Sequence, residues 1–496
     1  MDILVMAKIT IIDPLTRVEG HLKVQVTIDT IKGKQQVTDA QCTGTQFRGF
    51  EKILVGRDTK DAPYITQRIC GVCPVSHTIA ACMAIEQSAG VTVPANARIL
   101  RNLVLGANFI QSHLLHFYFL SVLDYITLPT SAPWAGNWNI DLMRSPAMRQ
   151  ISTNFISAVA MRREAHEMAA IFAGRMPGLT AIQAGGFTTK PNSAIVGKFT
   201  DYLKKQIEFI NGSYIPDAQL LSQSYSDYYH IGRGPGNLIA FGGFEQDDTA
   251  NPDRLFKRGV VYGSKPAFVE NLSTTNITEM VTNSWYDDST NNAHPSVGKT
   301  EMIDPATKPA AYSWLKAPRY RNHACEGGPL ARMWINGDYR VGVSVMDRHV
   351  ARAYEAKKIA EEMFLWLTQL KEGAPDYIPC VTPFDRAGEG LTESSRGALG
   401  HWLTTSSNAN KAPNGMAAIA NYQVITPTCW NASPKDTNGV RGPLEQALIG
   451  TPVSNSEQPI EVLRVVHSFD PCMSCAVHVM YPDGTPLTLF NAQPTF

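Results

Sequence analysis

Two Cys-x-x-Cys pairs lie near opposite ends of this chain, Cys70 with Cys73 and Cys472 with Cys475. Each pair places two sulfur atoms on one short turn, so a fold that joins the turns would gather four thiolates. Compact zinc modules keep such pairs a few tens of residues apart and fold around the metal. Here most of the chain separates the pairs, which suggests a large protein that folds first and holds a reaction centre in its interior.

The residues around the pairs favour thiolates and tight turns. Arg68 offers positive charge beside the first pair, Gly71 relieves crowding within it, and Asp470-Pro471 sets a turn before the second. Thiolates select zinc, iron, nickel or copper(I). The residues alone leave two interpretations open. A closed four-thiolate tetrahedron would hold inert zinc or a rubredoxin-like iron, whereas a binuclear site with bridging sulfurs would keep coordination positions open for a substrate.

The composition is that of a globular protein without a dominant charge, since 44 Lys+Arg balance 44 Asp+Glu in 496 residues. We therefore expect neither nucleic acid nor an anionic membrane as a direct partner. No apolar run is long enough to predict a transmembrane helix, and residues 1–8 lack the pattern of a signal peptide. Nine cysteines, an odd number in a long chain, argue against a disulfide framework. Five of them are interpreted as buried apolar thiols: Cys42, Cys82, Cys325, Cys380 and Cys429.

Hydrophobic periodicity predicts an α+β fold, mainly helical, in which long helices are flanked by smaller β segments. Residues 9–12 and 22–28 alternate as strands do, with turns expected at Asp13-Pro14 and at residues 32–34. We find no repeat and no linker that would divide the chain. Helices are predicted at about 59–90, 97–126, 148–175 and 348–372, and irregular structure with short strands at 225–310.

Further motifs stand in order along the chain beside the two cysteine pairs. They are residues 17–21 (Arg-Val-Glu-Gly-His), 47–51, 317–320, 328–332, 421–423 and 447–452. With this ordered set the chain resembles, nearly end to end, the large subunit of nickel–iron hydrogenases. The resemblance implies one catalytic domain over residues 1–478, with a bundle of long, buried central helices and small peripheral β-sheets.

The resemblance also implies a nickel–iron centre held by the four cysteines. Cys70 and Cys472 would be terminal ligands to nickel, and Cys73 and Cys475 would bridge nickel to iron. The iron would also carry carbon monoxide and cyanide, which no side chain supplies.

A magnesium ion is the second metal that the resemblance implies. Glu51, the backbone carbonyl of Val424 and His478 would bind it, and hard donors with retained water suit that ion. His478 would also mark the end of the mature chain. Residues 479–496 fit a C-terminal extension that a maturation endopeptidase removes after nickel-insertion chaperones have acted, an ordinary terminal strand being the alternative.

Five side chains would serve the reaction that the resemblance implies, reversible heterolytic cleavage of H2 into protons and electrons. Glu19 would be the first proton acceptor, because heterolysis releases a proton that needs a nearby base. Arg396 would polarise the substrate and hydrogen-bond a cyanide. Asp124 and Asp470 would complete a carboxylate–arginine group over the cleft. His77 would donate toward a bridging thiolate.

Two further residues, Pro427 and Thr428, would line the pocket of the diatomic ligands, with Thr428 offering a hydroxyl to a cyanide. The chain departs from the family pattern at Ser395, where a proline usually precedes the arginine, and at Phe119, where a histidine is frequent. His113 and His116 lie three residues apart on a predicted helix. They are interpreted as core or interface histidines rather than as a metal pair.

Residues 174–177 and 348–353 resemble the selenium-containing branch of the family. That branch has selenocysteine where this chain has Cys472. We interpret the chain as a plain nickel–iron relative of that branch.

Electrons would have to leave through a partner. No Gly-x-Gly-x-x-Gly follows a predicted strand, and no cysteine cluster for an iron–sulfur relay remains once the four ligands are assigned. The resemblance implies a heterodimer with an iron–sulfur small subunit. Export with that subunit would place the chain in the periplasm or on the periplasmic face of the membrane, in contact with the membrane only through partners. A cytoplasmic location is the alternative.

Two other functions compete with the hydrogenase interpretation. One is a metal-free, quinone-binding subunit related to respiratory complex I, a class that has lost the cysteine set present here. The other is a structural zinc protein with a closed four-thiolate site. Zinc explains the cysteines but leaves Glu19, Glu51, Arg396 and His478 without a role.

Overall fold

The computed structural model describes residues 7–127, 141–249, 251–407 and 417–473. Cys475, His478 and the expected extension 479–496 lie outside the described residues. The helices run α1 Phe50–Leu54, α2 Ala62–Thr66, α3 Pro74–Ala89, α4 Ala95–Leu114, α5 Arg149–Ala173, α6 Ser193–Phe209, α7 Ile215–Ser224, α8 Pro329–Asn336, α9 Val345–Gln369, α10 Pro427–Asn431, α11 Pro443–Leu448 and α12 Ile460–Ser468.

The strands form small antiparallel sheets. They run β1 Lys8–Leu15, β2 Leu22–Ile31, β3 Lys34–Gly44, β4 Ile182–Gln183, β5 Gly186–Phe187, β6 Leu238–Ala240, β7 Gly243–Glu245, β8 Arg254–Phe256, β9 Gly259–Val261, β10 Ile277–Met280, β11 Ala317–Tyr320, β12 Ala387–Ser394, β13 Gly397–Ser406 and β14 Ala418–Ile425. Two sheets have three strands, β1-β2-β3 and β12-β13-β14, and the rest are pairs.

The N-terminal sheet follows the alternation in its sequence. Leu22, Val24 and Val26 of β2 are buried and the residues between them are less so, as the period of two predicts. The hairpin turn at residues 32–34 is confirmed. The turn expected at Asp13-Pro14 is wrong, because this dipeptide lies within β1 at a shift in its register with β2. A proline cannot donate to the ladder, which is why the irregularity falls there.

The long helices occupy the centre, and α4 packs between α5 and α9. Prediction and structure agree on α5 and α9 to within a few residues, whereas α4 ends at Leu114, well before the predicted end at about 126. Beyond Leu114 the chain continues as a π-helical turn, Leu115–Ser121, and a short 3-10 turn that ends at Asp124. Within the described residues, Ala95–Asp124 is long and apolar enough to span a membrane, but most of it is buried inside the protein. Nearly every residue of α4 is buried, polar ones such as Arg101 and Asn108 included, as in the central helix of a large protein.

The helix predicted at 59–90 is interrupted at the first cysteine pair. The helix α2 ends at Thr66 and α3 begins at Pro74, a residue that suits the first helical position because it has no N–H to satisfy. The cysteines therefore lie on a loop that leads into α3. Helices α6 and α7 were not predicted, whereas the short strands β6 to β10 between residues 225 and 310 were.

The sheet β12-β13-β14 packs directly on α3. Gly390 of β12 lacks a side chain where an added Cβ would lie 1.9 Å from the carbonyl oxygen of Ala80 in α3, so only glycine permits this contact. The helix that follows the first cysteine pair is thereby held against the hairpin β12–β13. That hairpin carries Arg396 at its turn.

Candidate metal centre

Three of the four paired cysteines meet in the interior. The ligand atoms of Cys70, Cys73 and Cys472 all lie within 4.8 Å of one another, and each residue is about 1% exposed. The sulfur atoms of Cys70 and Cys472 are 3.3 Å apart, far beyond the roughly 2.05 Å of a disulfide. Metal–thiolate bonds measure about 2.3 Å, so sulfurs this close could bind one ion. Cys475 lies outside the described residues.

The loop before α3 is built to hold thiolates. Cys73 is the N-cap of α3, where the helix dipole favours negative charge. The sulfur of Cys70 accepts hydrogen bonds from the backbone N–H groups of Val72, at 3.3 Å, and Cys73, at 3.4 Å. Donors directed at a sulfur stabilise its anionic form.

The second pair is joined to Glu19 through the backbone. Residues Glu19 and Cys472 form a parallel bridge, and the N–H of Met473 donates to the carbonyl oxygen of Glu19 at 2.5 Å. Glu19 is half-buried, whereas Cys472 is 1% exposed. The structure therefore joins the backbone of the predicted base to the segment that carries Cys472.

Arg396 and Asp470 form a fully buried ion pair, with 3.1 Å between Nε and Oδ1. The pair lacks the alignment of a hydrogen bond. Within the described parts of the chain, none of the three guanidinium nitrogens of Arg396 has a hydrogen-bond partner. Burial alone would lower the pKa of Arg396, but Asp470 and the sulfurs of Cys472, Cys73 and Cys70 hold that pKa well above its usual range. A permanent positive charge with uncommitted donors thus stands beside the sulfurs.

Asp124 lies in a different group from Asp470. It pairs with the guanidinium of Arg17 and with Nδ1 of His467, the latter at 2.6 Å. Burial would raise the pKa of Asp124, but Arg17 and His467 outweigh it and lower the pKa to about 2. Arg17 also donates to the carbonyl oxygen of Leu120. Asp124 is thereby fixed as an anion at the end of the segment that continues α4.

His77 lies in the first turn of α3 and is completely buried. Its Nδ1 contacts Nε2 of His401 at 3.1 Å, and Nδ1 of His401 contacts the hydroxyl of Tyr422 at 2.8 Å. The Nε2 of His77 has no hydrogen-bond partner among the described residues.

Pro427 and Thr428 begin α10, and both are buried. The hydroxyl oxygen of Thr428 accepts a hydrogen bond from the backbone N–H of Cys472 at 2.9 Å. A hydroxyl that accepts one bond can still donate its own proton. Thr428 therefore contacts the backbone of a predicted metal ligand, Cys472, and its hydroxyl proton can still be donated to another group.

Glu51 and Val424 also meet, because the N–H of Val424 donates to Oε1 of Glu51 at 2.8 Å. The other oxygen of Glu51 accepts from the hydroxyl of Thr300. Gln423, beside Val424, accepts from the ammonium of Lys316 at 2.8 Å. Oxygen donors are thus concentrated at this point of the fold, and His478, the third expected ligand, lies outside the described residues.

The two histidines of α4 and its continuation have core roles, as expected. The Nε2 of His113 contacts Glu355 at 2.8 Å, and that of His116 contacts the carbonyl oxygen of His467 at 2.6 Å. The interpretation of the five remaining cysteines as buried thiols is also confirmed.

Two residues of the site were missed from the sequence. Arg17 stands in the same short motif as Glu19, and His467 stands five residues before Cys472, so both motifs contained the signal. Their pairing through Asp124 joins three distant parts of the chain. No local pattern predicts such a contact.

Comparison with known proteins agrees with this site. The chain matches the family described as nickel-dependent hydrogenase over residues 48–137 and 130–478, and a HoxL-like family over residues 8–47. It is 40% identical to the periplasmic NiFeSe hydrogenase large subunit of Desulfomicrobium baculatum, with 95% of each chain covered. It is 30% identical to the hydrogenase-1 large chain of Escherichia coli strain K12, with 96% of each covered.

Solved structures agree as well. The NiFeSe hydrogenase of Desulfomicrobium baculatum matches at a TM-score of 0.88 and 40% identity, and that of D. vulgaris Hildenborough at 0.89 and 36%. Each match covers 95% of this chain and 100% of the other. The relatives support neither the quinone-binding nor the structural zinc alternative. The chain therefore belongs to the nickel-dependent hydrogenase family, as a large, catalytic hydrogenase subunit with the nickel–iron centre that this membership implies.

Proposed function

We propose that the H2 chemistry of this subunit takes place at a nickel–iron centre bound by Cys70, Cys73, Cys472 and Cys475. The observation that carries this assignment is the cluster of three buried sulfur atoms within 4.8 Å of one another. Thiolates suit both metals. When bound, the centre supplies open coordination positions and a change of redox state. Cys70 and Cys472 are assigned as terminal nickel ligands, and Cys73 and Cys475 as bridging ligands.

Carbon monoxide and cyanide fit the wall of the site formed by Arg396, Pro427 and Thr428. The donors of Arg396 are buried and lack partners within the described residues, which is costly unless an acceptor is bound. A cyanide nitrogen is such an acceptor, and the hydroxyl of Thr428 could serve a second one. The apolar ring of Pro427 suits carbon monoxide. Asp470 balances the charge of Arg396, which remains directed at the substrate.

Glu19 is assigned as the first proton acceptor. Its backbone contacts with Cys472 and Met473 support this assignment, and its half-buried side chain would pass a proton outward. A base must come within a hydrogen bond, or one water, of the proton it takes. Asp124 holds the side chain of Arg17, two residues before Glu19, so it positions the segment that presents the base.

His77 is assigned to donate from Nε2 toward a bridging thiolate. Its Nδ1 is engaged with His401, which leaves Nε2 as the nitrogen available to the site. A hydrogen bond to sulfur stabilises the thiolate.

A magnesium ion fits the group of oxygen donors at Glu51 and the carbonyl of Val424, with His478 as the third protein ligand. Magnesium takes few protein ligands and retains waters. The site's role would be to anchor the end of the mature chain beside the centre.

An iron–sulfur small subunit is the proposed electron partner, in a heterodimer. Gly71 is exposed although its neighbour Cys70 is buried, so the loop that carries the first cysteine pair reaches the surface. We place the exit of electrons there. The relative from Desulfomicrobium baculatum is named periplasmic, and we propose the periplasm, or the periplasmic face of the membrane, for this chain too.

Residues 479–496 are proposed to be a maturation extension. A dedicated endopeptidase would cut after His478 once nickel-insertion chaperones have loaded the site. The new carboxylate of His478 would then end the chain beside the magnesium site.

The test is an infrared spectrum of the chain purified with its small subunit and shown by mass spectrometry to end at His478. Carbon monoxide and cyanide stretching bands are expected, together with nickel and iron. The bands should vanish in Cys70→Ser and persist in Cys42→Ser, a matched change of a buried cysteine outside the pairs. Zinc without such bands would overturn the proposal.

A further inference from the structure

A closed group of charged side chains lies behind the turn that carries Arg396. Arg332 of α8 contacts Glu355 of α9 through two hydrogen bonds, at 2.6 and 2.8 Å. It also contacts Glu393 of β12 at 2.7 Å. All three side chains are completely buried. His113 completes the group by binding Glu355. The residues 328–332 were a motif in the sequence, yet none of the proposed chemistry uses Arg332.

Arg332 also holds the backbone of the turn itself. Ser394 and Gly397 are paired across the hairpin β12–β13, so Ser395 and Arg396 are its two turn residues. The guanidinium of Arg332 donates to the carbonyl oxygen of Ser394 at 2.9 Å and to that of Ser395 at 2.8 Å. Bonds from a charged donor are roughly twice as strong as neutral ones. The two peptide groups directly before Arg396 are thus fixed from behind.

The neighbouring backbone closes the other side of the turn. Gly397 has φ +141°, and a Cβ there would lie 2.9 Å from the backbone of Gly327 and Gly328. Gly328 immediately precedes α8, the helix that carries Arg332. The turn is therefore enclosed between this backbone and the guanidinium, and it has little room to shift.

Arg396 needs this external support because its own donors do not anchor it. Its guanidinium forms an ion pair with Asp470 without hydrogen-bond alignment, and the described residues offer its nitrogens no other partner. We propose that Arg332 is a positioning residue for the reaction, which sets the place of Arg396 over the sulfurs through the turn backbone. This inference rests on the role assigned to Arg396 under the proposed function.

The chain contains a matched control for Arg332. Arg101 of α4 is also buried and makes a two-bond contact with a carboxylate, that of Glu86. It also donates to two backbone carbonyls, of Gln183 and Gly186. The bonding pattern is similar, with one carboxylate in place of two, but among the described residues Arg101 has no bond to the Arg396 turn. A purely structural arginine should behave like Arg101 when substituted.

The test compares Arg332→Lys with Arg101→Lys in the heterodimer, with nickel and iron content, kcat for H2 oxidation, the infrared bands and the apparent Tm as readouts. Lysine keeps the charge but cannot hold both carboxylates and both carbonyls. We expect Arg332→Lys to lower kcat about 10- to 100-fold, since small misplacements near a reaction centre have effects of that size. Its cyanide bands should shift. Arg101→Lys should lower the Tm by a similar amount to Arg332→Lys, but it should leave kcat and the infrared bands unchanged.

A double variant shows whether Arg332 acts through Arg396. In an Arg396→Lys background, Arg332→Lys should cause no further loss of kcat, because the group that it positions is already changed. Losses that multiply would overturn the inference, as would bands and kcat in Arg332→Lys that match those of Arg101→Lys. If Arg332→Lys does not fold, Glu393→Gln weakens the same group more mildly and should shift the bands in the same direction.

The two proposals fail in different ways. If the unsubstituted heterodimer lacks the bands, the proposed function fails. If its bands are present but do not move in Arg332→Lys, only the positioning role fails.

Discussion

Two buried arginines at the same turn, Arg396 and Arg332, make opposite use of their donors. Arg332 bonds two carboxylates and two backbone carbonyls, whereas Arg396 has no hydrogen-bond partner within the described residues. Both are at most 1% exposed. Burial therefore does not separate an arginine that holds the fold from one that faces a ligand. The number of satisfied donors does, because a buried cation without partners is costly unless something else is bound to it.

The carboxylates of the molecule divide in a similar way. Asp124 is paired with two basic groups and has a pKa lowered to about 2. Asp217 is also buried, but its partners among the described residues are the hydroxyl of Tyr118 and the amide of Asn154. Burial raises the pKa of Asp217 to about 6, and those neutral donors only partly oppose it. The partners of each carboxyl therefore decide its charge: two basic groups keep Asp124 ionised, whereas neutral donors leave the pKa of Asp217 raised.

The strongest test of the paired group is Asp124→Asn. Removing one partner of a buried ion pair leaves the other charge uncompensated, so we expect a loss of about 3–5 kcal/mol in stability. The apparent Tm of the heterodimer measures it. The control is Asp248→Asn, the half-exposed partner of Arg98, where about 0–1 kcal/mol is expected. Equal effects in the two variants would contradict the fixed-charge interpretation.

The stability that Asp124 contributes should decrease at acid pH. Because the folded pKa of Asp124 lies below the ordinary value of 3.8, its contribution is complete above about pH 4. It is lost as the pH falls toward 2. The Tm difference between the wild type and Asp124→Asn should therefore shrink over that interval.

Substitution of Arg396, unlike that of Asp124, should affect activity more than stability. Arg396→Lys removes donors that we propose to face the substrate and the diatomic ligands, and we expect kcat to fall about 100- to 1000-fold with the Tm nearly unchanged. Arg17→Lys, which disturbs a paired arginine, should mainly lower the Tm. A variant Arg396→Lys that loses stability but keeps its kcat would place Arg396 with the structural arginines.

The parts of this arrangement that follow a local pattern could be predicted from the sequence. The alternation of β2, the apolar length of α4 and the ordered motifs led to the strands, the helix and the cysteine site. Asn192 caps α6 through its side chain and is a local signal for that helix. Pro74, at the first position of α3, likewise indicates the interruption before that helix.

The contacts that decide whether a buried arginine has hydrogen-bond partners could not be predicted from local patterns. Asp124 contacts His467, which lies hundreds of residues away in the sequence, and Arg332 contacts Ser395, which lies tens of residues away. Such pairs depend on how whole helices and hairpins pack. Arg17 and Arg332 both stand in motifs, but only the fold shows that their guanidinium groups bind carboxylates and carbonyls, whereas the nitrogens of Arg396 have no hydrogen-bond partner among the described residues.

Asp217→Asn tests the titrating carboxyl. Because the folded pKa is raised to about 6, the group stabilises the fold below its ordinary pKa of 3.8, and this contribution is lost as the pH rises through 6. The wild type should therefore lose up to about 3 kcal/mol relative to Asp217→Asn between pH 4 and pH 7. The Tm of both proteins across this range measures it. A difference that does not change with pH would mean that Asp217 is already ionised at pH 4.

The smallest expected effect concerns Ser395, which stands where relatives are expected to have proline. Its hydroxyl donates to that of Ser112 in α4 at 2.9 Å, a neutral bond added to the charged bonds from Arg332. A neutral hydrogen bond contributes about 1 kcal/mol, so Ser395→Ala should lower the Tm slightly and leave the infrared bands in place. Ser112→Ala, which removes the same bond from the other side, should match it. If Ser395→Ala shifts the bands as much as Arg332→Lys, the turn is held mainly by Ser112. Arg332 would then not be the residue that positions Arg396.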